Sequence, residues 1–204
     1  PLGRKLHSAS CPTTGNRNRI DAAHLRHYLS QAPKSRSTSD VARFRTVLVY
    51  PSESVKKSLP HEKSAMPEVI FAGPDGRLEG RYHPQKERDA PIAIVLHPHP
   101  AYGGTMNNKV VYNLHYAFYN LGFTVLRFNF RGVGRSQGEY DQGIGELSDA
   151  ASALDYLQAM NPNSKHCWVA GFSFGAWIGM QLLMRRPEIT GFVSVAPPAN
   201  LYDF

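Results

Sequence analysis

Three short segments of the chain carry residue types and spacings that could do chemistry. The first is Gly171-Phe172-Ser173-Phe174-Gly175, a serine flanked by two glycines in the pattern G-x-S-x-G. It follows an apolar stretch, Cys167 to Ala170, and opens a run with helical spacing, Ala176 to Arg186, that carries basic residues in its last turn and Pro187 beyond. Between a strand and a helix such a turn is so sharp that the serine is held in a strained conformation. The glycines then sit where side chains would collide. Ser173 is therefore the candidate nucleophile, presented at the carboxyl end of a sheet. The backbone amide of Phe174, at a helix N-terminus, is a candidate donor to an oxyanion. The competing reading is a glycine-rich turn with an incidental serine.

The second segment is His97-Pro98-His99-Pro100, with Gly103-Gly104-Thr105 just beyond. It follows a strand ending at Leu96, where a second oxyanion amide would be needed. Prolines have no N–H, which leaves His99 as the first available amide, with Ala101 or Tyr102 behind it. The two prolines also stiffen the loop, as preorganised charge stabilisation requires. Two histidines one residue apart suggest a metal site. No carboxylate or cysteine set stands nearby at ligand spacing, so a metal is not expected. His97 is read as a support that hydrogen-bonds the loop backbone. Gly103 and Gly104, like Gly171 and Gly175, are read as supporting the turns.

The third segment, Phe128-Asn-Phe-Arg131-Gly-Val-Gly-Arg-Ser136, is glycine-rich with two arginines, and could in principle cradle a phosphate. It matches neither G-x-x-x-x-G-K-[ST] nor G-x-G-x-x-G, because Gln137 stands where the latter needs glycine. No nucleotide or other cofactor is expected. The loop reads as a tight turn in which Arg131 bonds backbone or acidic neighbours.

The elements that must position these segments follow a regular order from Met66. Val69 to Phe71 and Leu78 to Tyr82 bracket Gly73-Pro74-Asp75-Gly76 and predict a hairpin. Ile92 to Leu96 is a continuous apolar run, the mark of a strand buried on both faces. A helix is expected over 110–121, stopped by Gly122, and a strand over 123–130. A helix over 147–160 is halted by Asn161-Pro162. Strands are expected over 166–170 and 192–196, flanking the helix over 176–186. Strands alternating with helices at this spacing predict an α/β class fold, a mostly parallel sheet with helices on both faces.

The first third of the chain has a different character. The net charge is +7, yet residues 1–65 alone carry +8, from 12 of the 23 basic and 4 of the 16 acidic side chains. The basicity thus belongs to a leader rich in Ser, Arg, Lys and Pro, and the remainder gives no argument for nucleic-acid binding. Residues 1–65 are read as a largely irregular basic leader or upstream segment, with a short helical run over 20–29 and one strand over 44–50. Residues 66–204 are read as the domain. Two widely separated cysteines, Cys11 and Cys167, make no disulfide framework and suggest a reducing, cytoplasmic setting. No apolar run reaches the roughly 20 residues of a spanning helix, so no membrane partner is expected.

Together and in this order, His97-Pro-His-Pro-x-x-Gly-Gly-Thr-Met106, Arg131-Gly-x-Gly-x-Ser136 and Gly171-x-Ser-x-Gly175 resemble the α/β-hydrolase superfamily. The likeness is to small bacterial single-domain serine hydrolases, dienelactone-hydrolase-like and S33 serine-aminopeptidase-like, and it covers about residues 66–204. It implies a cofactor-free hydrolase that attacks a small-molecule ester, thioester or amide through an acyl-enzyme. It also implies a triad in the order serine, acid, histidine. No histidine follows Ser173, and Asp203 is too early for the acid. The expectation is a domain lacking its last strands, with acid and base beyond residue 204, inactive in this form. The alternative is a non-catalytic binding or scaffold protein of the same fold.

Overall fold

A computed structural model describes residues 66–202. The expectations for residues 1–65, including the helix over 20–29, the strand over 44–50 and the state of Cys11, lie outside the described residues, as does Asp203. Six residues separate the two hydrophobic signals of the opening hairpin, and the chain turns there as expected. Strand β1 (Glu68–Gly73) pairs antiparallel with β2 (Gly76–His83), closing on Gly73 opposite Gly76. Strands β3 (Ile92–Leu96), β4 (Thr124–Phe128), β5 (Cys167–Phe172) and β6 (Ile189–Val195) run parallel to one another. The six strands form one sheet in the order β1-β2-β4-β3-β5-β6, with β2 joining β4 antiparallel.

Helices α1 (Lys109–Asn120), α2 (Ile144–Met160) and α3 (Phe174–Arg185) cover the two faces. Strand alternation decides which side chains each helix meets. Ile92, Ile94, Leu96, Leu126 and Phe128 pack under Ala150, Ala153, Leu154 and Leu157 of α2 and Phe174, Ile178 and Leu182 of α3. Ala93, Val95 and Val125 point the other way, onto Val111, Leu114 and Phe118 of α1. All five residues of β3 are buried, as its unbroken apolar run requires.

Element boundaries shift where backbone hydrogen bonds outweigh the hydrophobic pattern. Helix α2 begins at Ile144, three residues before the expected Leu147. The buried Glu146 carboxylate accepts from the amides of Gly143 at 2.7 Å and Asp141 at 3.0 Å, so its first turn is capped without an apolar residue. Strand β6 begins at Ile189 rather than Phe192: Ile189 and Gly191 pair with Cys167 and Trp168 of β5 across a register shift, and the Thr190 hydroxyl donates to Cys167 O at 3.1 Å. Strand β5 runs on through Gly171 and Phe172, and α3 starts at Phe174 instead of Ala176, so a single residue separates them. Among the described residues no helix is long and apolar enough to cross a membrane.

Candidate active site

Because β3 to β6 are parallel, their carboxyl ends open on one edge of the sheet. The three segments singled out in the sequence follow β3, β4 and β5 at that edge. Ser173 is the one residue between β5 and α3 and has φ 53°, ψ −118°, a conformation that a side chain makes costly. Its amide donates to Val195 O at 2.9 Å, and its carbonyl accepts from Ala176 at 2.9 Å. The backbone is thereby pinned from both sides, while the hydroxyl has no hydrogen-bond partner among the described residues. A Cβ on Gly171 would collide with the Gly175 carbonyl, and one on Gly175 would lie 2.5 Å from Leu96 O and 2.6 Å from His97 O. Ser173→Gly is expected to raise stability by about 1 kcal/mol, the relieved strain less the extra chain entropy of glycine. A denaturant midpoint equal to or below that of the wild type would show that the turn holds no strain.

The loop after β3 is held by its own histidines. His97 is fully buried, and its Nε2 accepts from the Phe130 amide at 3.0 Å. The other ring nitrogen, Nδ1, must then carry the proton, which it donates to Pro98 O at 2.6 Å. Burial pushes the imidazole pKa down to about 4, against the opposing pull of the Pro98 carbonyl. Both nitrogens are committed, so this neutral ring is neither base nor metal ligand; it fixes the loop to the end of β4.

His99 caps a short 3-10 turn, Pro100–Tyr102, where its Nδ1 accepts from the Ala101 amide at 3.1 Å. Its Nε2 meets the Tyr140 hydroxyl at 3.1 Å, and burial lowers its pKa, opposed by the charge of Glu146. The amides of Tyr102 and Gly104 both donate to His99 O. Ala101, Tyr102 and Gly104 thus spend their N–H groups within the turn. The amides of His99 and Phe174 donate to nothing among the described residues. Gly103 closes the turn at φ 75°, and Gly104 packs so tightly that a Cβ would strike the Pro98 carbonyl.

The loop after β4 is bound to the rest of the sheet by its arginines and polar side chains. Arg131 meets the buried Asp149 through two guanidinium contacts, at 2.8 and 3.1 Å, and donates its amide to the same carboxylate at 3.0 Å. Sequence reasoning missed the polar network beside it. Asn129 Oδ1 accepts from the Met106 amide at 2.7 Å, and its Nδ2 donates to Glu79 at 2.5 Å. Burial pushes the Glu79 carboxyl up, but the Arg135 amide and guanidinium and Asn129 outweigh it and hold the pKa below the usual value. Ser136 Oγ donates to Asn129 O and accepts from the Glu79 amide. These partners are 50 and 57 residues apart in sequence, and the one available hint was a polar Glu79 on the buried side of a strand.

A sheet, helices and loops so arranged make the chain an α/β hydrolase, and the comparisons with known proteins agree. Residues 80–204 match the X-Pro dipeptidyl-peptidase (S15) family, and the chain belongs to it. It is therefore a member of a hydrolase family. An uncharacterized protein of Rickettsia prowazekii is 58% identical over 142 residues, 68% of this chain and 60% of that one. A solved structure of a protein of unknown function from Agrobacterium tumefaciens is 73% identical, with TM-score 0.66, over 68% of this chain and 63% of that one. An α/β serine hydrolase homologue from Coxiella burnetii is 41% identical, with TM-score 0.63, over 67% of this chain and 65% of its own. A lidless α/β serine hydrolase from Xanthomonas campestris is 38% identical, with TM-score 0.62, over 68% and 64%. The chain spans less than two thirds of the length of each of these relatives.

Proposed function

We propose that the protein is a serine hydrolase in which Ser173 Oγ attacks the acyl carbonyl of an ester, thioester or amide. The backbone amides of Phe174 and His99 receive the oxyanion. The observation that carries this reading is the conformation of Ser173. A non-glycine residue at φ 53°, pinned by two backbone bonds with its hydroxyl unpaired, is strain that serves to present that hydroxyl. Two amides left without acceptors on the adjacent loops support an oxyanion site. The polar network through Asn129 and the ring of His97 support it further by fixing the loop from which one amide comes.

A serine hydroxyl is a poor nucleophile without a base. Among the described residues no imidazole bonds Ser173, and His97 and His99 have their nitrogens occupied. The proton would be moved by a histidine and an acid from outside the described residues. Turnover of activated esters is accordingly expected to depend on that histidine and acid as well as on Ser173. The lack of an imidazole bonded to Ser173 among the described residues is the observation that favours a second reading, a non-catalytic binding protein of the same fold. A fluorophosphonate probe on the native protein separates the two: one adduct per chain, lost in Ser173→Ala, supports the hydrolase. Labelling that survives Ser173→Ala, or no labelling of the native protein, favours the binding protein.

A further inference from the structure

Aromatic rings gather around Phe174, the residue after the proposed nucleophile, from the edge of the core outward. Phe174, the residue after Ser173, forms a buried floor. On one side stands His99, its ring 4.9 Å from Phe174, flanked by Tyr102 at 4.7 Å and Tyr140 at 4.9 Å. On the other stand Trp177, 5.6 Å from Phe174, and Tyr202, stacked 4.3 Å from Trp177. These six rings form one continuous set, since Tyr140 and Tyr202 also approach Phe174, at 6.2 and 6.1 Å. Burial raises the pKa of Tyr140.

Much of this set faces water. Tyr102 is 87% exposed and Tyr140 37%, and Ile144 and Leu201, at 74% and 73%, adjoin it in sequence. Exposed apolar side chains gathered beside a strained serine mark a surface that is covered when a ligand arrives. The backbone gives way to keep the rings in place: Gly143 adopts φ 99°, and a Cβ there would strike the Trp177 ring.

Resting on the serine-hydrolase reading, we propose that these rings form the acyl subsite and that the acyl group it takes is flat and aromatic. Tilted and stacked rings present both faces and edges, which suit another planar ring better than a saturated one of equal size. The unshared hydroxyl of Tyr102 stands at the rim to meet a polar ring substituent. No covalent step beyond acyl transfer to Ser173 is involved.

The test compares cinnamate with 3-cyclohexylpropanoate, acids of similar size and equal charge, by ligand-observed NMR on the full chain and on Ser173→Ala. Cinnamate is expected to bind about 5- to 10-fold more tightly, from one or two extra ring contacts. The preference should persist in Ser173→Ala and fall to about 2-fold or less in Tyr102→Ala, whose exposed side chain carries no fold. Equal binding of the two acids, no binding of either, or a preference unchanged in Tyr102→Ala overturns the subsite. Fluorophosphonate labelling of the native protein, which supplies the base, reports Ser173 separately: labelling lost in Ser173→Ala with no aryl preference sinks the subsite alone, and an aryl preference without labelling sinks the nucleophile alone.

Discussion

Gly175→Ala is expected to destabilise the chain by about 3 kcal/mol, near the top of the range for overpacking a core. The added methyl would meet Leu96 O at 2.5 Å and His97 O at 2.6 Å. Both are backbone atoms at the end of the central strand β3, so no rotamer change can clear them, and α3 must move away from the sheet. That helix carries Phe174 and sets the position of Ser173, so labelling should be lost together with stability. A thermal midpoint lowered by about 6–12 °C is the expected reading for a chain of this size. Gly103→Ala is the control: its φ of 75° strains an alanine, but its Cβ would meet nothing within 4 Å. A cost of about 1 kcal/mol is expected there. Equal costs at the two positions would show that the elbow and β3 are not in close contact.

Acid is expected to unfold the protein through two buried imidazoles. Burial pushes His97 down to about 4 and His115 down to about 3, the latter with help from the charges of Arg127 and His83. In the unfolded chain both return to about 6.5. Between those values the unfolded state binds more protons than the folded state, so stability rises with pH across that interval. The contribution is complete above about pH 6.5 and is lost as pH falls towards 4. For His97 alone the loss is on the order of 3 kcal/mol. The structural reason is that protonated His97 could no longer accept the Phe130 amide. Urea unfolding at pH 7 and pH 4.5 checks this. A midpoint independent of pH would mean that both rings are solvated. His115→Phe should remove part of the slope and His97→Phe most of the remainder.

The sheet was legible because its strands announce themselves. Ile92 to Leu96 has no polar residue, and a strand buried on both faces has no other way to look. The serine turn was equally open to reading, since two steric exclusions four residues apart demand glycine at both places. Helix α2 was read short because its first turn is held by Glu146 through backbone amides, an arrangement with no apolar periodicity. Strand β6 was read short because Gly191 interrupts its apolar run, and the extension back to Ile189 is held by pairing with β5 across a register shift. The Asn129, Glu79, Arg135 and Ser136 network was invisible for a different reason: a polar pair 50 residues apart leaves no spacing to recognise. Of the rings around Phe174, Tyr102 and Trp177 lie within or beside the segments that the motifs single out. Tyr140 and Tyr202 joined them only through the fold, and Phe172 lies in β5 rather than among those rings.

The two margins of the sheet differ in a way that gives it direction. At the β1 margin Glu68 engages both Arg81 at 2.5 Å and Arg135 at 2.8 Å, a charged clasp that blunts further pairing. The outer margin of β6 has no partner among the described residues and carries half-buried Phe192, Val193 and Val195. Accretion can therefore proceed on one side only. Any strand that docks there in the sense of its neighbours ends at the same rim as Ser173, whatever chain supplies it. A strand added there keeps the polarity of the sheet, so the loop that follows it reaches the rim of Ser173 without disturbing the groups already in place.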